Sequence, residues 1–405
     1  MSSYDRALTR ATNTLRRRAA GLVALLLAVT GLAFLPAGAA YAVYPGFVCT
    51  GNTVYALDGS GNVQRVASTG GSATTNAAYG SGRWNALALA GAGTQSWAFD
   101  RDNNRVRMAG SDHAEQTWNM PSSTKYGDVV AGAINPSTGI YYYAAGGSTW
   151  TVYAFNTVTK TAIGQVATIT GTGLGGNGDF AFDATGNLYI VSNDPSYSGG
   201  TAGTLARVNG TLPTTAGSTT LGISVLAGTP AGQGNYHSMA FDSSGYLVIG
   251  AGSKLIRVNP TTGAEVDSST LSFGFVDLAS CSSPSTAQAL VNLPEGRHGT
   301  NDQFTVAITG NGLTSGNTGT TAGTDTGLQD TSAEKAGPAV VLPGQTYTIT
   351  QTPSGTTVLT NYVTSWTCVN GSGTTIASGT GSSGTFTVPS ASGSSVTCTF
   401  TPTPR

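Results

Sequence analysis

Three segments of this 405-residue chain share one local design: an apolar strand, a tight turn with Asp or Asn and Gly, and a second strand. They are AGAINPSTGIYYYAAG (131–146), FAFDATGNLYIVSN (180–193) and MAFDSSGYLVIGAG (239–252). A further pair of strand-like runs follows each segment. Turns of this composition between short apolar runs are hairpin signals. Units of four strands in about 40–50 residues are typical of β-propeller blades, so the repeat predicts a propeller over residues 43–283.

The number of blades depends on the innermost strands. These are predicted near residues 85–89, 128–134, 179–182, 238–241 and 276–280. The last has no outer strands after it, whereas three strand-like runs within 46–68 (GFVCT, TVYALD and NVQRVAS) lack an inner partner. Placing 275–281 inside the N-terminal blade closes the ring and predicts five blades, with six as the alternative.

This closure also predicts a covalent bond. Cys49 lies in the first outer run and Cys281 ends the last inner strand, so a disulfide between them would close the ring. Closing so long a loop stabilises a fold by roughly 4–5 kcal/mol in the loop-entropy description. The remaining cysteines, Cys368 and Cys398, lie on apolar faces of strands in the last region, so a second disulfide is predicted there.

The N-terminus has the order of a secretory signal. Five arginines precede an apolar run over 19–35, and the small-residue site at 40–42 follows. The pattern predicts a signal peptide over 1–42 and an extracellular, secreted or surface-associated protein; a retained anchor is the alternative. Removing it takes five of the 18 basic and one of the 19 acidic residues, which leaves 13 and 18. This balance argues against a nucleic-acid partner, and no second apolar run is long enough to span a membrane.

Residues 284–405 follow a different rhythm. In 302–309 and 394–404, apolar residues alternate with Thr and Ser. One apolar and one hydroxyl-rich face per strand is typical of a β-sandwich, so the whole chain is predicted to be all-β. Residues 311–336, rich in Gly and Thr, are predicted to form a long loop.

Both regions resemble known families. DATGNLY (183–189) is similar to the blade motif of NHL-like secreted propellers. The last region resembles the SpaA-like, prealbumin-fold modules of surface proteins from high-GC Gram-positive bacteria. The segments that carry this resemblance are DQFTVAITGNG (302–312), AGPAVVLPGQTYTITQ (336–351), YVTSWTCVN (362–370) and GTFTVPSASGSSVTCTFTPTP (384–404).

The second resemblance implies a prealbumin-like or Ig-like β-sandwich over 284–405 that acts as a stalk or spacer at the cell surface. The first strand has no Lys and the last has no Asn, so the family's isopeptide cross-link is not expected, and the disulfide would replace it. No sorting motif follows the module, which leaves the mode of surface retention open.

Motifs for catalysis or metal binding are weak. His113, His237 and His298 belong to three different units, and neither G-x-S-x-G nor H-E-x-x-H occurs. The loops that begin at Asp100 and Asp183 start like calcium loops, but they lack the glycine at position six and most other ligands. No cofactor is therefore predicted, with calcium left as an open candidate.

Polar residues open the predicted inner strands and would ring one mouth of the propeller channel. They are Asn85, Asp128, Asp179, Ser238 with its neighbour His237, and Asp277. Three carboxylates there could bind a cation; the favoured alternative is that each accepts backbone N–H bonds where its strand begins. The neighbouring loops carry Trp84, Tyr126, Tyr197 and Tyr236. These aromatic residues either form a platform for a sugar or peptide, or pack between blades.

Three functions remain open at this point. The first is a secreted or surface binding protein for a glycan or protein ligand, with a propeller head and a sandwich spacer. The second is a metal-assisted propeller enzyme, such as a lyase, lactonase or glycosidase, that uses the acidic residues of the mouth. The third is a purely structural wall component. The absence of catalytic motifs favours a protein without enzymatic activity.

Overall fold

The computed structural model describes residues 45–49, 51–90, 93–110, 115–193, 203–230 and 235–405. The predicted signal peptide, His113 and Tyr197 lie outside these ranges. Tyr44–Arg405 forms one compact unit. Within the described ranges the regular elements are β-strands and two 3₁₀ turns, Tyr126–Asp128 and Leu359–Asn361. The predicted all-β class is confirmed.

Five antiparallel four-stranded units, the blades, make up the first region, and two of them join at their outermost strands into one eight-stranded sheet. Their innermost strands are β4 (Trp84–Leu89), β8 (Val129–Ile134), β12 (Gly178–Phe182), β16 (Tyr236–Phe241) and β20 (Phe275–Ala279). The second strands are β1 (Thr53–Asp58), β5 (Gln95–Asp100), β9 (Ile140–Ala145), β13 (Leu188–Asn193) and β17 (Leu247–Ala251). The third strands are β2 (Asn62–Ala67), β6 (Arg105–Gly110), β10 (Thr149–Asn156), β14 (Gly203–Val208) and β18 (Lys254–Val258). The outermost strands are β3 (Thr74–Ala78), β7 (Glu115–Asn119), β11 (Thr161–Thr170), β15 (Thr219–Gly228) and β19 (Glu265–Thr270).

The blades form a closed ring. Blade 1 contains β20 and β1–β3, and blades 2 to 5 contain β4–β7, β8–β11, β12–β15 and β16–β19. Each inner strand contacts the inner strands of both neighbouring blades, in the order β4, β8, β12, β16, β20 and back to β4. A disulfide joins Cys49 to Cys281, which ends the chain's circuit of the ring. The five-bladed propeller and its covalent closure are confirmed.

Blade 1 differs from the prediction in its outer strands. Residues 45–49 are irregular, so GFVCT does not form the expected strand. The outermost strand is instead β3, whose sequence TTNAA lacks a clear apolar pattern. The Asn76 side chain of β3 donates to the backbone oxygens of Pro45 at 2.7 Å and Gly46 at 2.9 Å. These side-chain bonds hold residues 45–49 against β3. The segment makes no strand pairing, so it adds no further strand to the blade.

The last region contains two packed sheets. Its strands are β21 (Ser285–Leu293), β22 (Asp302–Thr309), β23 (Thr318–Thr320), β24 (Gly327–Gln329), β25 (Ala336–Val341), β26 (Thr346–Gly355), β27 (Tyr362–Asn370), β28 (Thr375–Thr380), β29 (Ser383–Thr387) and β30 (Ser395–Pro404). One sheet has the order β24-β21-β30-β27-β28, with β25 also paired to β21, and the other has the order β23-β22-β26-β29. Their alternating apolar residues face one another in a single core. The predicted β-sandwich is confirmed.

Two details of the sandwich complete or correct the prediction. Cys368 and Cys398 lie opposite each other on β27 and β30 and form the second disulfide. The expected loop over 311–336 contains the short strands β23 and β24. Three-residue strands are too short to show an alternating pattern, which is why the sequence does not reveal them.

The sandwich packs against the lower face of the propeller, defined as the face where the inner strands end. Val340 of β25 belongs to the apolar cluster between blades 4 and 5. The Thr261 hydroxyl donates to the backbone oxygen of Asn311 at 2.9 Å, and the Arg207 guanidinium donates to that of Pro338. The two modules therefore share buried apolar surface and hydrogen bonds. This arrangement differs from a spacer that only trails from the propeller.

Candidate functional site

Asp179, the second residue of β12, is fully buried. Its Oδ1 accepts hydrogen bonds from the backbone N–H of Phe180 at 2.7 Å and of Gly132 at 3.2 Å. Its Oδ2 accepts one from the N–H of Met239 at 2.8 Å. Gly132 belongs to β8 and Met239 to β16, so one carboxyl group joins blade 4 to both of its neighbours.

Asp277 of β20 is the second buried carboxyl group in this position. It accepts hydrogen bonds from the N–H of Leu278 at 2.8 Å and from that of Leu87, in β4 of blade 2, at 2.6 Å. It also hydrogen-bonds to Asp179, which links blade 1 to blade 4. The two acids, named here the hub pair, therefore connect all five blades.

The hub pair shares a proton. Burial is the main cause that raises the pKa of Asp277 to about 7, against the opposing effect of its hydrogen bonds with Asp179 and backbone N–H groups. Burial, followed by the nearby charge of Asp277, raises the pKa of Asp179 well above its usual range. Two buried carboxyl groups in contact do not both ionise, because like charges repel strongly in a low dielectric. The pair is therefore expected to hold at least one proton near neutral pH.

The predicted ring of three carboxylates is not formed. The sequence predicts Asp128 as the first residue of β8. It is instead the last residue of the 3₁₀ turn before that strand, which begins at Val129, and its side chain is exposed. Asn85 is buried, and its Oδ1 accepts the N–H of Ala86 at 2.8 Å. Ser238 is buried in β16. Across the described ranges, no group of three or more His, Cys, Asp or Glu side chains is placed to hold a metal ion.

His237 is a packing residue between blades 5 and 1. Its Nε2 accepts the N–H of Gly252 at 2.8 Å, and its ring meets that of Phe275 edge-on with centroids 5.3 Å apart. Burial lowers its pKa to about 4. A ring nitrogen that accepts an N–H must carry no proton, so this site holds a neutral imidazole near pH 7.

The predicted aromatic platform is reduced to one residue. Trp84 is buried between blades 1 and 2, stacks on Tyr79 with ring centroids 5.1 Å apart, and donates its indole N–H to the oxygen of Gly80 at 2.8 Å. Tyr236 is buried between blades 4 and 5, and its hydroxyl donates to the oxygen of Pro230. Large rings fill the wedge-shaped space between blades, which is why these two are covered. Only Tyr126 of the described three is exposed, at 41%.

The central channel opens at the lower face into a cavity of about 70 Å³. All five inner strands line it, with apolar residues such as Leu89, Ile134 and Phe182, and Ser280 and Ser282 lie at its rim. A space of this size holds a few water molecules and is well below the roughly 300 Å³ at which ordinary ligand pockets begin. The central channel is therefore largely filled by side chains and too small for an ordinary ligand.

The turn that most resembles a calcium loop is closed on itself. The buried Asp183 accepts hydrogen bonds from the N–H groups of Thr185 at 3.0 Å and Asn187 at 2.8 Å, and from the Asn187 side chain at 2.7 Å. Burial is the main cause that raises its pKa, against these hydrogen bonds. Both carboxylate oxygens are occupied within the turn, so Asp183 acts as an Asx-type turn residue.

Residues 288–404 match the family model SpaA_3, the prealbumin-like fold domain. This match confirms the prealbumin-like module. None of the curated proteins matches the chain. The NHL-like character of the propeller and a Gram-positive origin stay predictions.

Several solved structures are similar to the chain at low identity. A nidogen/laminin complex has 16% identity over 58% of this chain and 83% of that chain, with a TM-score of 0.38. The hydrazine synthase of Kuenenia stuttgartiensis has 13% identity over 54% and 76%, with a TM-score of 0.35. Virginiamycin B lyase from Staphylococcus aureus has 10% identity over 53% and 66%, with a TM-score of 0.31. At such values these likenesses say nothing about activity.

Two observations bear on the compartment. Both pairs of cysteines are oxidised, which is typical of proteins that fold outside the cytoplasm. In the described part of the chain, no helix has the length and apolar character needed to cross a membrane.

Proposed function

We propose that the protein is an exported binding or structural protein of the cell surface, in which the upper face of the propeller, where the inner strands begin, is presented to a glycan or peptide ligand. The observation that carries the proposal is that the two buried acids of the hub pair hold the blades together and are not available for catalysis or metal binding. Asp179 and Asp277 are committed to each other and to backbone N–H groups, so they fasten the ring. The sandwich contributes to the packing between blades 4 and 5 through Val340, so both modules belong to one compact unit that could be displayed together.

Among the described residues, the upper face carries a surface suited to binding, named here the upper patch. It consists of the exposed residues Arg83, Asp102, Lys125, Tyr126 and Asp128. Exposed tyrosine and arginine are the residue types enriched at binding hot spots. The patch is also preorganised, because Arg101 donates its Nε–H to the oxygen of Gly127 at 3.1 Å and Tyr153 accepts the N–H of Lys125 at 3.1 Å. Preorganisation lowers the entropy lost on binding.

The metal-assisted enzyme has less support. Its acidic ring is reduced to the hub pair, whose oxygens accept backbone hydrogen bonds, and Asp128 faces solvent apart from that pair. A surface-displayed SpaA-type module favours the binding or structural alternative.

A binding screen tests the proposal. The secreted full-length protein would be screened against glycan arrays, peptide libraries and purified wall polymers. We expect a ligand whose affinity falls at least tenfold in the Tyr126→Ala/Arg83→Ala variant, while Val363→Ala, an exposed change on the sandwich, leaves affinity unchanged. A ligand that bound both variants equally would place its site elsewhere, and the absence of any ligand would leave only the structural role.

A further inference from the structure

A polar cleft of about 230 Å³ lies where the propeller meets the sandwich, named here the inter-module cleft. Thr185 and Asn187 of the blade 4 turn form one wall. Thr286 and Gln288 of β21, with Thr397 of β30, form the other. Unlike the apolar channel, this cleft presents hydroxyl and amide groups. Its volume is just below the roughly 300 Å³ of small ligand pockets, which suits a single sugar-sized molecule.

Lys335 supplies the positive charge of the cleft. It immediately precedes β25 and is half-buried. The adjacent acid, Glu334, is directed to other partners: it accepts the N–H of Ala322 at 3.0 Å and the Thr331 hydroxyl at 2.7 Å. Among the described residues, no carboxylate lines the cleft and none forms an ion pair with Lys335. An ammonium group in this setting attracts an anion.

The amide groups of the cleft are fixed by neighbouring bonds. Asn187 donates its Nδ2 to Asp183 at 2.7 Å and to the Thr185 hydroxyl at 2.8 Å, which leaves its carbonyl oxygen directed elsewhere. Gln288 donates its Nε2 to the Thr397 hydroxyl at 3.0 Å. Both side chains therefore retain an oxygen that can accept hydrogen bonds from ligand hydroxyl groups. Because the donors are already bound, the two acceptors are held in place before a ligand arrives.

We propose that the inter-module cleft binds a sugar acid, with its carboxylate on Lys335 and its hydroxyl groups on the oxygens of Asn187 and Gln288. This site lies on the lower side of the propeller, apart from the upper patch, and it goes beyond the proposed function. Because Asn187 comes from the propeller and Gln288 from the sandwich, the ligand contacts both modules at once. Binding therefore strengthens their association.

Titration of the secreted full-length protein with D-glucuronate tests this site, with D-glucose as the neutral control. Backbone amide NMR shifts would report the location and the affinity. We expect millimolar glucuronate binding with shifts near residues 185–187, 286–288 and 395–397, and at least tenfold weaker binding of glucose. Lys335→Met is expected to weaken glucuronate binding at least tenfold, while Arg405→Met, which removes a positive charge from an exposed residue at the other end of β30, leaves it unchanged.

Three results would overturn the proposal. Equal shifts with glucose and glucuronate would remove the role of the charge, and full affinity in Lys335→Met would remove the role of that lysine. Equally tight binding of acetate would show a simple carboxylate site without sugar recognition. The screen with the Tyr126→Ala/Arg83→Ala variant reports on the upper patch alone, so failure of one site is distinguishable from failure of the other.

Discussion

Blades 4 and 5 start from nearly the same sequence and use one arginine in different ways. FAFDATGNLYIV is followed by LARVN in blade 4, and MAFDSSGYLVIG is followed by LIRVN in blade 5. In blade 5, Arg257 donates its Nε–H to the buried Asp242 at 3.0 Å. In blade 4, Arg207 donates to the oxygen of Pro338 in the sandwich.

The difference has a local cause in the last residue of each turn. In blade 4, Asn187 donates its side-chain amide to Asp183, so the second carboxylate oxygen is already occupied. In blade 5 that position is Tyr246, which has no amide to donate, and its ring lies 4.7 Å from the Arg257 guanidinium. A second difference acts on the same arginine, because Arg257 faces Asp267 and pairs with it, whereas Arg207 faces Ser224. The turn residue and the facing residue together distinguish an arginine that stabilises its own blade from one that contacts the sandwich.

The largest effect is expected from Asp179→Ser, chosen because Ser238 occupies the same position in the inner strand of blade 5. Asp179→Ser removes the acceptor for three backbone N–H groups and leaves Asp277 without its carboxyl partner. Each unsatisfied buried group costs about 1–3 kcal/mol, so we expect a loss of about 5 kcal/mol or more in the free energy of unfolding. Urea unfolding followed by tryptophan fluorescence measures it. A loss no larger than that of an exposed substitution would show that the hub pair does not fasten the ring.

Arg257→Met is expected to have the next largest effect. It leaves the fully buried Asp242 with only a hydroxyl and backbone amide donors, and breaking a buried ion pair on one side costs about 3–5 kcal/mol. The matched control is Arg83→Met, which breaks the exposed pair with Asp102 and is expected to change thermal stability little. Equal melting temperatures for the two variants would contradict the assignment.

The pH profile should separate blade 5 from the hub pair. Asp277 has a raised pKa of about 7, so its stabilisation is complete below about pH 4 and is lost as pH rises through 7. His237 has a lowered pKa of about 4, so its stabilisation is present above about pH 6.5 and is lost as pH falls towards 4. The two effects oppose each other, each on the order of 2–4 kcal/mol.

Asp179, whose pKa is also raised, adds to the effect of Asp277, so wild-type stability is expected to fall as pH rises from 4 to 7. Asp277→Asn, which removes one of the two raised carboxyl groups, should show a shallower fall, and His237→Gln, which retains an acceptor for Gly252 but removes the opposing group, should show a steeper one. Urea midpoints at half-unit pH steps measure both slopes. Parallel profiles for the two variants would show that neither group titrates as described.

Arg207→Met should affect mainly the contact between the modules. It removes a charge-assisted hydrogen bond to Pro338, worth about 1–3 kcal/mol. We expect faster proteolysis of the chain between the modules, near residues 280–285, with a smaller loss of global stability than in Arg257→Met. Proteolysis at the wild-type rate would show that Val340 and Thr261 hold the sandwich without this arginine.

The smallest effect is expected from converting one turn into the other. Asn187→Tyr removes the side-chain donor to Asp183 and frees that oxygen for Arg207. We expect about 1 kcal/mol of change in stability, because one hydrogen bond replaces another, together with weaker contact between the modules. The guanidinium NMR signal of Arg207 should shift towards that of Arg257. An unshifted signal would mean that the turn residue does not control the arginine.

Much of the fold follows from the sequence because the repeats fix it. Hairpin turns and apolar runs located all five inner strands, and the order of Cys49 and Cys281 identified how the ring closes. The hub pair was only partly predictable. The sequence predicts that Asp179 and Asp277 lie near the beginnings of their strands, but their direct contact joins blades 4 and 1, which no local pattern relates. Asp128 does not join the hub pair because it belongs to a 3₁₀ turn before β8, and such a turn has no distinctive sequence period by which it could be predicted.

The candidate surfaces were harder to predict. Trp84 and Tyr236 look like exposed loop residues in the sequence, yet the space between blades needs large rings. The inter-module cleft combines residues about 100 to 200 positions apart in the chain, as Asn187 and Thr397 show. No local pattern connects such positions, so only the packing of the two modules reveals it.

The outer strands of blades 3 and 4 have a consequence for solubility. Ala167–Thr170 of β11 pairs in parallel with Thr219–Gly222 of β15, so two blades form one eight-stranded sheet. An unpaired strand edge is a template on which other chains aggregate. The pairing covers part of the outer edges of β11 and β15. The outer strand of blade 5, β19, carries the acidic residues Glu265 and Asp267, and charged residues on an edge strand oppose pairing with another chain. A Gly- and Thr-rich all-β protein with little net charge thus limits its own tendency to form fibrils by joining neighbouring blades at the rim.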